Sequence, residues 1–181
     1  MSRTPEATAA QLPLALRFPA DQRLETFVAA PEGACAALRA LARGETAGVA
    51  GAALSALYLS GPSGTGKTHL LLAACAEAEA AGRRPSYLPL ASAAGRLDEA
   101  LSALEHSDLI ALDGLEAIAG RREDEVALFH AHNRARDAGR SLLYAARGAP
   151  DALALDLPDL RSRLGQCVRF ALDPLDDAGR G

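Results

Sequence analysis

The stretch "LSALYLSGPSGTGKTHLLLAACAEAEAAG", residues 54–82, limits most what this chain can fold into. Ala56, Leu57, Tyr58 and Leu59 form a short apolar run bounded by polar and glycine residues, the pattern of a buried strand. A glycine-rich turn follows, and then a long Ala- and Leu-rich segment of high helix propensity. A strand that passes through one tight turn into a helix sends that helix back across the sheet. The next strand then runs parallel to the first, by a right-handed crossover.

The same alternation continues to the end of the chain. "PSYLPLA", "SDLIALDG", "RSLLYAA" and "CVRFAL" read as strands; "AGRLDEALSALE", "REDEVALFHAHNRARDAG" and "LPDLRSRL" read as helices between them. Upstream, "PEGACAALRALARGE" spaces Cys35, Leu38 and Leu41 along one helical face and ends near Gly44, before a Gly/Ala connector, "TAGVAGAA". The expected fold class is therefore α/β, a five-stranded parallel sheet flanked by helices. A composition that is 49% hydrophobic but only 4% aromatic fits Ala- and Leu-rich helices packed on a small sheet. No internal repeat appears, and no linker demands a second folded domain.

A net charge of −4 argues against a global basic field that would recruit nucleic acid, although local arginines can still meet phosphate. Cys35, Cys75 and Cys167 are odd in number and widely spaced, so they read as reduced thiols and not as a disulfide framework. No signal-like segment and no apolar run of membrane-spanning length appears, so a cytoplasmic protein with no membrane partner is expected.

"GPSGTGKT", residues 61–68, matches G-x-x-x-x-G-K-[ST] and sits between a strand and a helix, the setting in which that pattern binds phosphate. Gly61, Gly64 and Gly66 let the backbone curl so that successive N–H groups point inward, with Pro62, Ser63 and Thr65 completing the loop. The helix beginning near Lys67 adds its positive end, with His69 in its first turn. Lys67 neutralises the outer phosphates, and the Thr68 hydroxyl can ligate Mg²⁺. "LIALDGLE" then supplies Asp113 at the end of a neighbouring strand as the second Mg²⁺-side group. These residues lead to the expectation of a nucleotide with Mg²⁺, and the family resemblance described below implies that the nucleotide is ADP or ATP.

Hydrolysis is less well provided for. Many P-loop ATPases place a second acid directly after the strand aspartate to orient the attacking water, and here that position is Gly114. Glu116, two residues on, is a weaker candidate for the role. The strand "SLLYAA" is expected to end near the last phosphate, where it offers only Ala145 and Ala146. Binding looks intact while turnover looks impaired.

"LPDLRSRL" carries Arg161 and Arg163 on a short helix between the fourth and fifth strands. In oligomeric P-loop ATPases that stretch lies at a subunit edge, where an arginine can reach a neighbour's nucleotide and accelerate hydrolysis by ~10³–10⁵. Spacing alone favours instead a surface arginine on an amphipathic helix, paired with Asp159 or Asp156. "QLPLALRF", residues 11–18, alternates apolar and other residues like a strand, but Pro13 and Pro19 each lack a ladder N–H.

The glycine loop, "HLLLAACAEAEAAGRRPSYLPL", "LIALDGLEAIAG" and "LPDLRSRL", in this order and spacing, resemble the AAA+ family close to the bacterial initiator DnaA. The likeness runs over about residues 11–176 and is strongest to the Hda-like regulators that inactivate DnaA. It implies an AAA+ base subdomain over residues 20–181, preceded by a flexible segment, 1–19, that docks on the β sliding clamp. In that reading Gln11, Leu12, Leu14 and Leu16 are the docking residues, the leucines filling an apolar groove and the amide its polar rim. The resemblance further implies that Arg163 acts in trans on ATP held by DnaA, and that Phe27 and Val28 lie near the adenine. Its partners would be the clamp and DnaA, with DNA reached indirectly through the clamp and a homo-oligomer allowed.

The chain departs from that family in three places. Gly114 follows the strand aspartate, Ala145 and Arg147 stand where a Thr or Ser and an Asp are usual, and "LDPLDDAGRG" ends where a helical lid is expected to begin. The C-terminal helical lid is accordingly expected to be absent. Two further readings stay open, a self-sufficient DNA-stimulated ATPase of the helicase-loader or initiator type and a non-functional truncated paralogue.

Overall fold

The computed structural model describes residues 31, 33–45 and 55–174. Its elements are α1 (Ala34–Arg43), β1 (Ala56–Ser60), α2 (Lys67–Ala80), β2 (Pro85–Pro89), α3 (Leu97–Ser102), β3 (Leu109–Asp113), α4 (Arg122–Asp137), β4 (Ser141–Ala146), α5 (Pro158–Gly165) and β5 (Val168–Ala171). Single helical turns at Leu90–Ser92, Leu115–Ala117 and Pro150–Ala152 complete the connections. All five expected strands form, and every pairing among them is parallel. No helix among the described residues is long and apolar enough to cross a membrane.

The strand order is β2-β3-β4-β1-β5. β4 therefore lies between β1 and β3, so the strand carrying Asp113 is not the direct neighbour of the one that feeds the glycine loop. Local patterning identifies strands but not their lateral order, which depends on where each crossover helix packs. β2 falls at an edge, which explains how it accommodates Pro85 and Pro89 at its two ends.

Side chains alternate between two cores. Leu57 and Leu59 of β1, Leu109 and Ala111 of β3, and Leu143 and Ala145 of β4 bury against α1 and α2. Tyr58, Ile110, Leu112, Leu142, Tyr144 and Ala146 bury against the opposite layer of α3, α4 and α5. β4 is buried at all six positions, as the central strand of a sheet covered on both faces must be.

Buried polar groups tie the layers together. Arg83 donates to the carbonyls of Leu41 and Ala42, at 3.0 and 2.8 Å, and so satisfies the C-terminal end of α1. It also reaches Asp108 O at 3.0 Å and Ser141 Oγ at 3.3 Å, pinning that helix to the lower rim of the sheet. In the first turn of α4, Asp124 accepts N–H bonds from Gly95 and Leu97 at the start of α3. The adjacent Glu125 is fully buried and accepts N–H bonds from Gly120, Asp156 and Leu157, which sets the start of α5. On the same side, His132 Nδ1 lies 2.7 Å from the Tyr144 hydroxyl with the two rings stacked.

Candidate nucleotide site

The register of the sheet brings three strand tips level. Ser60 pairs with Ala146, and Ala145 pairs with Asp113, so the chain leaves β1, β4 and β3 at one height. Gly61 N–H donates to Ala146 O at 3.1 Å, and Gly114 N–H donates to Ala145 O at 2.9 Å. The rim that results, at the carboxyl ends of the strands, is where open α/β sheets bind ligands.

The glycine loop leaves β1 under tight steric limits. A Cβ on Gly61 would stand 2.5 Å from Leu172 O, so only glycine lets the loop pass beside the segment after β5. Gly66 takes φ 92° at the N-cap of α2, a left-handed conformation that turns the chain sharply into the helix. Thr65 Oγ1 donates to Pro62 O at 2.9 Å and braces the loop from within.

A cavity of about 540 Å³ opens over this loop. Ser63, Gly64, Thr65, Gly66, Lys67, Thr68 and His69 line one part, and Asp113, Glu116 and Arg147 line the rest. The Lys67 ammonium curls back to donate to the carbonyls of Gly61 and Pro62, at 2.5 and 2.9 Å. Burial lowers its pKa from the ordinary value, while the carboxylates of Glu116 and Asp113 oppose that shift.

Thr68 Oγ1 donates to Asp113 Oδ2 at 2.6 Å, and the Tyr87 hydroxyl donates to the same oxygen at 2.7 Å. Burial, then the bond to Asp113, raises the Tyr87 pKa, so it remains a donor at neutral pH. Thr68 and Asp113 offer hard oxygen ligands, and among the described residues no cluster of three or more His, Cys, Asp or Glu forms a metal cage. Two protein oxygens completed by phosphate and water suit Mg²⁺, which rarely takes an all-protein shell. The donor set fits the cation, and the left-handed Gly64 and Gly66 beside Lys67 at the cavity wall fit a phosphate loop.

The remaining predicted residues divide. Glu116 does reach the cavity wall, but its Oε1 accepts the Arg147 backbone N–H at 3.0 Å and its Oε2 lies 3.6 Å from Arg147 Nε. Ala145 and Ala146 are fully buried in the sheet, and it is Arg147, the next residue, that the tip of β4 delivers to the cavity. Arg163 does not line the cavity; its guanidinium lies 5.9 Å from the centre of the Phe129 ring. Neither Arg161 nor Arg163 pairs with Asp156 or Asp159: Arg161 instead donates to Leu155 O. Gln11, Leu12, Leu14, Leu16, Phe27 and Val28 lie outside the described residues.

Tyr87, which orients Asp113, and Glu125, which holds the start of α5, do not stand out in the amino-acid sequence. A tyrosine two residues before the end of an edge strand, and an acid opening a helix, carry signals too common to single out. Both acquire their roles from cross-element contacts.

The fold and its glycine-loop site define a P-loop NTPase. The bacterial DnaA ATPase domain model matches residues 20–171, and the chain belongs to that family. The chain is similar to AMPPCP-bound DnaA from Aquifex aeolicus, at 25% identity and TM-score 0.73 over 91% of this chain and 53% of that one. Domain III of DnaA from Thermotoga maritima aligns at 24% identity and TM-score 0.72, over 90% of this chain and 71% of that one. A DnaA structure bound to AMPPCP and single-stranded DNA aligns at 24% identity and TM-score 0.72, over 86% of this chain and 51% of that one. The chain thus spans about half the length of the first DnaA structures it matches.

Proposed function

We propose that this chain is a nucleotide-binding regulator of the Hda-like kind, which limits replication initiation by stimulating hydrolysis of ATP held by DnaA. Membership of the DnaA ATPase family supports a role tied to replication initiation. The observation that carries the finer reading is the placement of Arg163. It stands on α5, away from its own cavity, with no ion-pair partner among the described residues. An arginine placed this way is free to meet a nucleotide on another molecule, where it can neutralise charge that develops during phosphoryl transfer.

In this reading the chain itself holds ADP or ATP with Mg²⁺ through the loop 61–68, His69 and Asp113, with Thr68 and Asp113 on the metal side. AMPPCP in the Aquifex aeolicus DnaA structure supports an adenine nucleotide, and Phe27 and Val28 are assigned to the base. Residues 1–19 serve as the tether and 20–181 as the nucleotide-binding domain. Gln11, Leu12, Leu14 and Leu16 dock on the β sliding clamp in the cytoplasm, and the protein meets DNA through that clamp.

Incubation with DNA-loaded clamp and ATP-bound DnaA tests the proposal. The native chain is expected to accelerate ATP loss and Arg163→Ala to abolish the acceleration; no acceleration by the native chain overturns the regulator reading. Clamp pull-down is expected to fail with Gln11→Ala and Leu14→Ala, and binding equal to native removes the tether. The presence of Glu116 at the cavity wall favours a second reading, a self-sufficient ATPase, for which the chain alone would turn over ATP.

A further inference from the structure

Glu125 is a fully buried carboxylate that lies outside the lining of the nucleotide cavity. It stands in the first turn of α4 beside Asp124, which is buried too, and the two acids serve opposite neighbours. Asp124 accepts the N–H groups of Gly95 and Leu97 and so holds the start of α3. Glu125 Oε2 accepts from Gly120 at 2.6 Å and from Asp156 at 3.0 Å, and its Oε1 accepts from Leu157 at 2.7 Å. Burying an acid is costly unless its oxygens are satisfied, and here three backbone donors satisfy them.

The helix held in this way is poorly able to place itself. α5 has 8 residues, too few for stability on its own. Its N-cap residue is Leu157, with no side-chain cap, and Pro158 follows without an N–H. Its entry therefore depends on Glu125, which binds the N–H groups of the two residues before that proline. One turn further along α4, on the same face, Phe129 meets the Arg163 guanidinium 5.9 Å from the ring centre. α4 thus grips α5 twice, at its entry and at its arginine. The rise from Leu157 to Arg163 is roughly 9 Å, so a tilt of about 10° at the entry moves the arginine backbone by ~1.5 Å. A misplacement on the order of 1 Å can cost a reacting group about 100-fold in rate.

We propose that Glu125 is the positioning residue for Arg163. Through the N–H groups of Asp156 and Leu157 it sets the tilt of α5, and with it the place where the guanidinium is presented. Its effect on hydrolysis rests on the trans-acting reading of Arg163 given above, whereas the placement itself rests on the contacts of Glu125.

Glu125→Gln and Asp124→Asn, each in the full chain, test the assignment. Both replace one oxygen of a buried acid by an NH₂ group that faces a backbone donor, but only the first touches α5. The first readout is the NMR signal of the Arg163 Nε–H, identified by its loss in Arg163→Ala. In the native chain it is expected to carry the upfield shift of a group over an aromatic ring. Glu125→Gln is expected to lose that shift and Asp124→Asn to keep it. The second readout is ATP loss from DnaA in the presence of DNA-loaded clamp. Glu125→Gln is expected to lower the maximal acceleration by roughly tenfold or more, with the half-maximal concentration unchanged within about twofold. Asp124→Asn is expected to keep the native maximum.

An Arg163 signal that stays in place in Glu125→Gln, or moves as far in Asp124→Asn, overturns the assignment. So does a native maximal acceleration in Glu125→Gln. A native chain that gives no acceleration overturns the regulator reading, and the NMR comparison then decides by itself whether Glu125 places Arg163. Should Glu125→Gln not fold, Leu157→Pro deletes one of the same N–H groups from the α5 side. Leu157 has extended backbone, φ −96° and ψ 108°, near the range proline takes, and the same loss of the Arg163 shift is expected.

Discussion

Thr68 Oγ1 and Asp113 Oδ2 are 2.6 Å apart, and that hydrogen bond joins the first turn of α2 to the tip of β3 across the intervening strand β4. Tyr87 donates to the same oxygen at 2.7 Å from the edge strand β2. Asp113 is thus oriented from two sides before any cation arrives, which reduces the ordering that binding requires.

Removing the carboxylate is expected to remove the metal dependence of nucleotide affinity. Asp113→Ala is predicted to lose the gain in affinity that Mg²⁺ provides, while binding measured in EDTA changes little. Tyr87→Phe keeps the carboxylate but deletes one orienting donor, so the Mg²⁺-dependent affinity falls by roughly tenfold. Titration of each variant with and without Mg²⁺ gives the answer, and an unchanged Mg²⁺ response in Asp113→Ala would overturn its role.

Glu125 is the residue whose loss is predicted to destabilise the domain most through polar contacts. Its carboxylate is fully buried and accepts three backbone N–H bonds, from Gly120 at 2.6 Å, Asp156 at 3.0 Å and Leu157 at 2.7 Å. Glu125→Ala strands those donors and is expected to cost about 3 kcal/mol, a fall in Tm of roughly 6–12 °C. Thermal unfolding measures it. Because two of the donors open α5, hydrogen exchange in residues 156–165 is expected to rise in the same variant.

Arg83 makes a more local prediction. It satisfies two terminal carbonyls of α1 and joins them to Asp108 and Ser141 at the sheet. Arg83→Met keeps the aliphatic stem but deletes these bonds, for an expected loss of about 2 kcal/mol. Exchange protection is expected to drop in α1 before any other helix, and uniform loss across the domain would argue against a local clamp.

Acid is expected to weaken the fold through His132. Burial, together with Arg136 and Arg163, pushes its pKa down to about 4 from the ordinary 6.5. The unfolded chain therefore binds a proton that the folded chain refuses between those values, so stability is complete above pH 6.5 and declines as pH falls toward 4. Between pH 6.5 and 5 the loss attributable to this group is ~2 kcal/mol. Urea unfolding of native and His132→Gln protein at pH 7.5 and 5 isolates it. A native chain with the same pH dependence as the variant would refute the assignment.

The parallel α/β architecture and the loop at 61–68 could be read from the amino-acid sequence because both are local. Strand periodicity, the glycine spacing and the Ala/Leu helices each involve residues adjacent in the chain, and backbone sterics act over that same range. Asp113 was legible for the same reason: an acid ending an apolar strand marks itself. What only the tertiary structure decided were the partners. It placed β4 between β1 and β3, seated Tyr87 on Asp113, brought Arg147 rather than Ala145 or Ala146 into the cavity, and bound Glu116 to it. It also laid Arg163 against Phe129 and not against Asp156 or Asp159. These relations depend on strand order and on register between distant segments, for which a local pattern holds no energy term. A charged side chain finds its partner only after the apolar core has fixed which strand tips stand side by side.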